Sequence, residues 1–156
     1  MAVSTEDRIR ISSNCTVDLL AKLGQGAFGT VYRGERKDGT PVAIKQITSD
    51  SMEETMDGME EIKILQKLTD HANVVKFHDF HFLKKSFWLV MEFCDGGDLE
   101  NYFKKVEGKL DIAVKVDFMH QLANGVKHLH DSKLVHRDLK PGNTLISYQT
   151  GVAVLK

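Results

Sequence analysis

Gly24-Gln25-Gly26-Ala27-Phe28-Gly29 fits the pattern G-x-G-x-x-G, and the residues that follow it decide the fold. Three arrangements use such a run. In a dinucleotide-binding βαβ unit the third glycine opens a helix whose N-terminus meets a pyrophosphate. In a nucleotide P-loop the run ends in Gly-Lys-Ser/Thr, and no such ending is present here. In the third, the glycines form a β-hairpin tip over phosphates, offering backbone N–H groups without side-chain bulk. Gly29 leads into Thr30-Val31-Tyr32-Arg33-Gly34, which alternates with period two as a strand does. The hairpin arrangement fits, and Val31 completes it as G-x-G-x-x-G-x-V. For this segment alone, a glycine-rich tip with no ligand stays open as the plain alternative.

Outward from the loop, residues 16–23 gather apolar side chains as a strand does, and the polar stretch 1–15 reads as a lead-in. Lys37-Asp38-Gly39-Thr40 supplies a hairpin turn, Asp-Gly being a strong turn signal between strands. Pro41-Val42-Ala43-Ile44-Lys45-Gln46 is a short third strand. The period then changes. Met52, Met56, Met59, Ile62, Leu65 and Leu68 form the stripe of an amphipathic helix, which Asp50 or Ser51 would cap. Two more strands, 74–82 and 87–92, are joined at Lys84-Lys85-Ser86. Asp95-Gly96-Gly97-Asp98 breaks the pattern, and Asp98 is placed to cap a short helix. A longer helix fits 111–130, with Phe118, Met119, Leu122, Val126 and Leu129 inward. The order β-β-β-α-β-β-α-α predicts an α+β fold, a five-stranded sheet with one helix followed by a helical layer. A parallel doubly wound sheet would need regular alternation, which is absent.

Composition narrows the function classes. The 21 basic and 22 acidic residues leave a formal net charge of −1, against a dedicated nucleic-acid surface, which needs a basic excess. The two cysteines, Cys15 and Cys94, have no metal-ligand spacing and cannot build a disulfide framework. A reducing compartment, cytoplasmic or nuclear, is expected. The polar start has no apolar signal core, and Ala2 excludes N-myristoylation. No apolar run approaches the roughly 18 residues of a membrane span, so no membrane partner is expected.

Lys45 sits on an otherwise apolar strand, where an ammonium is costly to bury without an anionic partner. A snorkelling surface lysine is the commoner fate. Its place one strand after the glycine hairpin puts nucleotide phosphates within reach instead. On the following helix Glu61 stands three, four and seven residues before Ile64, Leu65 and Leu68, on or beside the buried face. A Lys45–Glu61 pair would aim the ammonium at α- and β-phosphates, and Glu60 is expected to face solvent.

The segment His136-Arg137-Asp138-Leu139-Lys140-Pro141-Gly142-Asn143 completes an ordered set. Glycine loop, strand lysine, helix glutamate, a hinge at Glu92-Phe93-Cys94 and an H-R-D-x-K-x-x-N loop follow one another. Over about residues 16–156 the chain resembles a eukaryotic-type protein kinase of the serine/threonine class. The resemblance implies an N-lobe over 16–92, a hinge over 93–97 and an incomplete helical C-lobe over 98–156. It implies ATP and Mg²⁺ as cofactors and a serine or threonine hydroxyl of a protein as acceptor. By the same resemblance Asp138 is the catalytic base, Lys140 neutralises the γ-phosphoryl group and Asn143 is a magnesium ligand. Arg137 would meet a phosphorylated activation loop, and His136 is architectural. Gly24, Gly26 and Gly29 would cover the phosphates, and Val31 and Ala43 would close over the adenine. Met91 would be the gatekeeper, and Glu92 to Cys94 would bond the adenine edge. Asp98 would meet the ribose, with a plain helix cap as its equal alternative. Residues 91–99 and the hairpin after Asn143 also resemble the small nuclear group of kinases that bind PDZ-LIM partners.

One part of the kinase pattern is missing. Beyond Asn143 the sequence reads Thr144-Leu145-Ile146-Ser147-Tyr148, then a turn, then Val152-Ala153-Val154-Leu155-Lys156, with no Asp-Phe-Gly. The chain is therefore expected to be a fragment of a longer kinase. A nucleotide-binding pseudokinase or scaffold module is the alternative function.

Overall fold

The computed structural model describes residues 7–26, 29–48, 52–107, 109–148 and 154–155. The chain divides into two compact units, Met1–Lys67 with Phe77–Phe93, and Leu68–Lys76 with Cys94–Lys156.

In the first unit six strands form one antiparallel sheet: β1 (Arg8–Ser12), β2 (Cys15–Gly26), β3 (Gly29–Arg36), β4 (Pro41–Thr48), β5 (Phe77–Leu83) and β6 (Ser86–Glu92). Their order across the sheet is β1-β2-β3-β4-β6-β5. The glycine run is thus the tip of a β-hairpin, Gly26 pairing with Gly29, while Ala27 and Phe28 lie outside the described residues. The helix α1 (Met52–Lys67) follows β4. Its expected cap, Asp50 or Ser51, also falls outside the described residues.

The sheet has one strand more than the five expected, because Arg8–Ser12 is no lead-in. Its Ile9 and Ile11 alternate with Arg8, Arg10 and Ser12, and it pairs with β2. Two apolar residues in a run of charges gave too little signal. Once paired, Ile11 joins Cys15, Val17, Val42, Ile44, Trp88 and Val90 in one buried cluster. The opposite face carries a second cluster, in which Ile62 of α1 meets Phe87 and Leu89, with Leu65, Phe77 and Phe80 at its border. Met56 and Met59, read as part of that helix's inward stripe, are exposed instead.

The second unit holds α2 (Leu99–Lys105), α3 (Ile112–Asp131), a 3₁₀ turn at Pro141–Asn143 and the short pair β7 (Ile146–Ser147) and β8 (Val154–Leu155). Asp98 caps α2 and Asp111 caps α3, each accepting a backbone N–H. Leu99, Phe118 and Ile146 form the buried cluster, with Tyr102 and Val114 against it. Phe118 and, in part, Leu122, Val126 and Leu129 are inward on α3 as expected, but Met119 is exposed. Gly125 takes the close approach: a Cβ there would lie 2.5 Å from the Asn73 carbonyl oxygen. Around that contact the rings of His71 and His128 stack at 4.5 Å, and Asn73 Nδ2 donates to Gln121 Oε1 at 3.1 Å. Those contacts put 68–76 in the second unit, although the sequence reading assigns them to the first lobe. Among the described residues no helix is long and apolar enough to cross a membrane.

Two substitutions test the sheet in opposite directions. Gly34 is buried between β2 and β4, and a Cβ there would lie 2.2 Å from Ile44 Cδ1 and 2.7 Å from the Thr16 carbonyl oxygen. Gly34→Ala should cost about 1–3 kcal/mol through overpacking. Lys84 and Lys85, at the β5–β6 turn, both have left-handed backbones, with φ of 52° and 58°. Replacing them together by Asn and Gly should stabilise by about 1 kcal/mol, since those residues suit such a turn. Urea unfolding of both variants is the measurement, and a shift of either midpoint in the opposite direction contradicts the packing described.

Candidate functional site

In the first unit the register of three strands brings several candidate residues onto one sheet face. Val31 pairs with Lys45 and Lys45 with Leu89, so their side chains share a face; Arg33, Ala43 and Met91 form the next row of the same face. Leu89 belongs to the cluster with Ile62, so this is the face on which α1 packs. Ala43 is buried, and Val31, Lys45 and Met91 are half-buried. Glu92, opposite Val42, lies on the other face and is buried there. Glu61 lies in α1, but its side chain is outside the described residues, so its pairing with Lys45 is not described. Glu60 faces solvent, as expected.

The three loop glycines answer to different constraints. Gly29 has φ of +124°, and a Cβ there would fall 2.0 Å from the Gln46 carbonyl oxygen. Only glycine fits, so the fold alone accounts for this residue. Nothing lies within 4 Å of a Cβ built on Gly24 or Gly26. Packing does not require glycine at these two places, which leaves an open backbone surface on the hairpin.

In the second unit Cys94 is buried, and Asp98 is committed to the α2 cap. Its Oδ1 accepts the Asn101 backbone N–H at 2.8 Å and its Oδ2 accepts Asn101 Nδ2 at 2.6 Å. The cap accounts for both carboxylate oxygens.

The loop read from 136 to 143 draws three of its side chains together. Lys140 Nζ stands 3.2 Å from Asp138 Oδ2. Asn143 Nδ2 donates to the same oxygen at 2.8 Å and to the Asp138 carbonyl at 2.9 Å. The 3₁₀ turn brings this about. Pro141, at its start, has no N–H to leave unsatisfied, and the Asn143 N–H donates to the Lys140 carbonyl at 2.9 Å. Residue 143 therefore returns over residue 138. His136 Nδ1 accepts the Asp138 N–H at 3.3 Å. Arg137 has φ of +65°, uncommon for a residue with a side chain.

The hydrogen bond from Lys140, followed by that from Asn143, holds the Asp138 carboxyl below the usual carboxylate range. The group is open to solvent, so this perturbation marks its ionised state and adds little stability. Sequence reasoning missed two supports. Thr144, buried, donates from Oγ1 to the Lys140 carbonyl at 3.1 Å, and Asp95 Oδ1 accepts the Tyr148 N–H at 2.8 Å. A threonine entering a strand and an aspartate before two glycines look ordinary in sequence, and no local signal marks either.

Residues 17–156 match the protein kinase domain family. Over 131 residues, 84% of this chain, the sequence is 41% identical to the probable serine/threonine-protein kinase zyg-1 of Caenorhabditis briggsae. Over 133 residues, 83% of this chain, it is 37% identical to the human serine/threonine-protein kinase ULK1. The chain spans 18% and 12% of the lengths of those two relatives. The expected kinship with the PDZ-LIM-interacting group is not supported by these matches.

The ion pair has a titration signature. In Lys140→Met the largest cause of the lowered Asp138 pKa is removed, so the carboxyl should titrate at higher pH than in the parent. Carboxyl ¹³C chemical shifts followed against pH measure this directly; an unmoved titration means that the contact is not populated. The cap has its own test. Asp98→Ala should cost about 1 kcal/mol and Asp98→Asn much less, because asparagine caps equally well. Equal losses in thermal unfolding contradict the cap.

Proposed function

Because the chain belongs to the protein kinase domain family, we propose that it carries the ATP-binding and catalytic-loop part of a serine/threonine-protein kinase. The reaction transfers the γ-phosphoryl group of ATP to a serine or threonine hydroxyl of a protein. The observation that carries this reading is the Asp138 carboxylate held between Lys140 and Asn143. A carboxylate kept ionised accepts a proton from a hydroxyl and aims its oxygen for in-line attack. Lys140 beside it neutralises charge on the phosphoryl group as that group passes.

The residues fit both cofactors. Asn143 spends its Nδ2 on Asp138, which leaves the carboxamide oxygen Oδ1 as the atom for a hard cation. Among the described residues no three His, Cys, Asp or Glu side chains gather as a metal cage. An isolated oxygen ligand suits Mg²⁺, which keeps much of its coordination for water and phosphate. For ATP, Val31, Ala43 and Met91, in adjoining rows of one sheet face, would offer an adenine platform, with backbone from Glu92 to Cys94 for its edge. Gly24, Gly26 and Gly29 would cover the phosphates, and Lys45 would address the α- and β-phosphates. Asp98 can reach a ribose only by sharing oxygens already engaged in its cap. Cys15 and Cys94 are both buried thiols, in keeping with the cytoplasm or nucleus, where ATP is abundant.

A second reading has its own observation: the 156 residues contain no Asp-Phe-Gly. On that reading the chain serves as a nucleotide-binding pseudokinase or scaffold module without catalysis. Radiolabelled phosphate transfer to a generic protein, run in parallel with nucleotide binding, separates the two readings. The chain alone should bind ATP and transfer nothing measurable, since loss of one well-placed electrostatic stabiliser costs roughly 10²–10³ in rate. A protein that continues through a complete C-lobe should transfer phosphate to serine or threonine and require Mg²⁺. In that protein Asp138→Asn should abolish turnover and leave ATP affinity nearly unchanged; full turnover removes Asp138 as the base. ATP binding without transfer by the longer protein favours the scaffold. Lys45→Ala should weaken ATP far more than adenosine, and equal losses for the two ligands contradict its assignment to the phosphates.

A further inference from the structure

The chain contains 16 lysines but only 5 arginines, and 4 of those 5 line two adjoining depressions on the β1–β2–β3 part of the sheet. The larger, of about 370 Å³, is bordered by Arg8, Arg10, Arg36 and Lys37, with Asn14 and Ser13. The smaller, of about 270 Å³, adds Arg33 and shares Arg8, Thr16 and Glu35 with it. Strand register gathers Arg8 and Arg10 with Glu35: Arg8 pairs with Asp18, Arg10 with Thr16, and Thr16 in turn with Glu35, while Arg36, opposite Cys15 at the end of β3, borders the larger depression. Arg33 stands two residues from Glu35 and therefore on the same face. Taken together the lining residues bring five bases against two acids, Asp18 and Glu35, in a chain whose formal net charge is −1.

The existing contacts of these guanidinium groups are weak. Arg8 is 4.0 Å from Asp18, both partly open to solvent. Arg10 donates to the carbonyls of Ser12 and Ser13 at 3.3 and 3.1 Å, both exposed contacts. Arg33 lies over the Phe93 ring at 5.1 Å. None of the three is consumed by a buried, bidentate carboxylate. Arginine presents a planar fork that matches phosphate oxygens in a bidentate way, whereas lysine acts as a point charge.

The geometry points to a binding site for a phosphorylated protein segment, in which the arginines hold the phosphate and Glu35 or Asp18 meets a basic residue beside it. A nucleic-acid backbone is disfavoured, because its row of phosphates would meet the two lining carboxylates. A lipid surface is disfavoured because Ala21 and Cys15 are the only apolar residues lining it, with no large side chain to insert. The site needs neither Lys45 nor Asp138, and of its arginines only Arg33 falls in the row of Ala43 and Met91.

Fluorescence anisotropy of the 156-residue chain with a labelled peptide, Gly-Ala-Arg-phosphoserine-Ala-Gly, tests this. The phosphopeptide should bind about tenfold or more tightly than its unphosphorylated twin, and inorganic phosphate should compete. Arg8→Gln combined with Arg36→Gln should weaken binding about tenfold or more, and Lys109→Gln, not among the lining residues, should leave it unchanged. Circular dichroism checks the fold of each variant. Arg36→Lys keeps the charge and should still weaken binding, which maintains the test if the double variant does not fold. Equal binding of the twin overturns the proposal. So does stronger binding to short duplex DNA or to phosphatidylserine vesicles. A loss on Lys45→Ala with the arginine variants unaffected would put the peptide in the nucleotide site and overturn it as well.

Discussion

The register of β4 between β3 and β6 is the constraint on which the first unit depends. The three strands run through their pairings without a shift, from Glu35 opposite Pro41 to Thr30 opposite Gln46, and from Val42 opposite Glu92 to Thr48 opposite Ser86. A slip of one residue would turn Lys45 into the cluster around Ile44 and Trp88, and would bring Ile44 out to the face of α1. Ile44, Val42 and Val90 are essentially fully buried on one side, and Leu89 and Phe87 on the other. Both faces are thus specified by burial, and a slip would cost several such side chains at about 1.5–3 kcal/mol each. Gly34 fixes the same register, because a larger residue would displace Ile44 from its place.

How far the sequence was legible follows from how local each signal is. The β2–β3 hairpin, the Asp38-Gly39 turn and the cap at Asp98 are made by residues a few positions apart, and each is where its pattern puts it. Strand β1 was not legible: Ile9 and Ile11 mean little until β2 lies beside them. The grouping of 68–76 with the second unit was not legible for the same reason. Its placement rests on His71 against His128 and on Gly125 clearing the Asn73 carbonyl, contacts between residues more than fifty positions apart. Met119 shows the limit of periodicity on a helix. The i, i+3, i+4 rule gives an inward stripe a fixed width, but Phe118 and Gly125 set where that stripe is centred.

The candidate site divides along the same line. Asp138, Lys140 and Asn143 span six positions, and the 3₁₀ turn converts that sequence pattern directly into a spatial one. Thr144, which helps to close the turn, adds no residue type that a strand would not carry. The glycine motif was legible as a motif but not in its parts. Its third glycine is demanded by the Gln46 carbonyl, and only the first two are left without a packing reason.

The arginine groove shows what such reading cannot reach. Its residues come mostly from three strands, and along the chain they form no basic run longer than Arg36-Lys37. Alternation along each strand puts Arg8 and Arg10 on one face, and Arg33 and Glu35 on one face, but does not relate the two pairs. Only the pairing of Thr16 with both Arg10 and Glu35 makes the faces one. The bulge in β1 between Arg10 and Ser12 then ends the row, and the chain turns back into β2 at Cys15. A shift of that bulge by one residue would send Arg8 and Arg10 to the buried face, where Ile9 and Ile11 now pack, and their charge would be costly there. The burial of two isoleucines therefore holds two arginines in the groove, and the strand that was hardest to see in the sequence supplies half of its guanidinium groups.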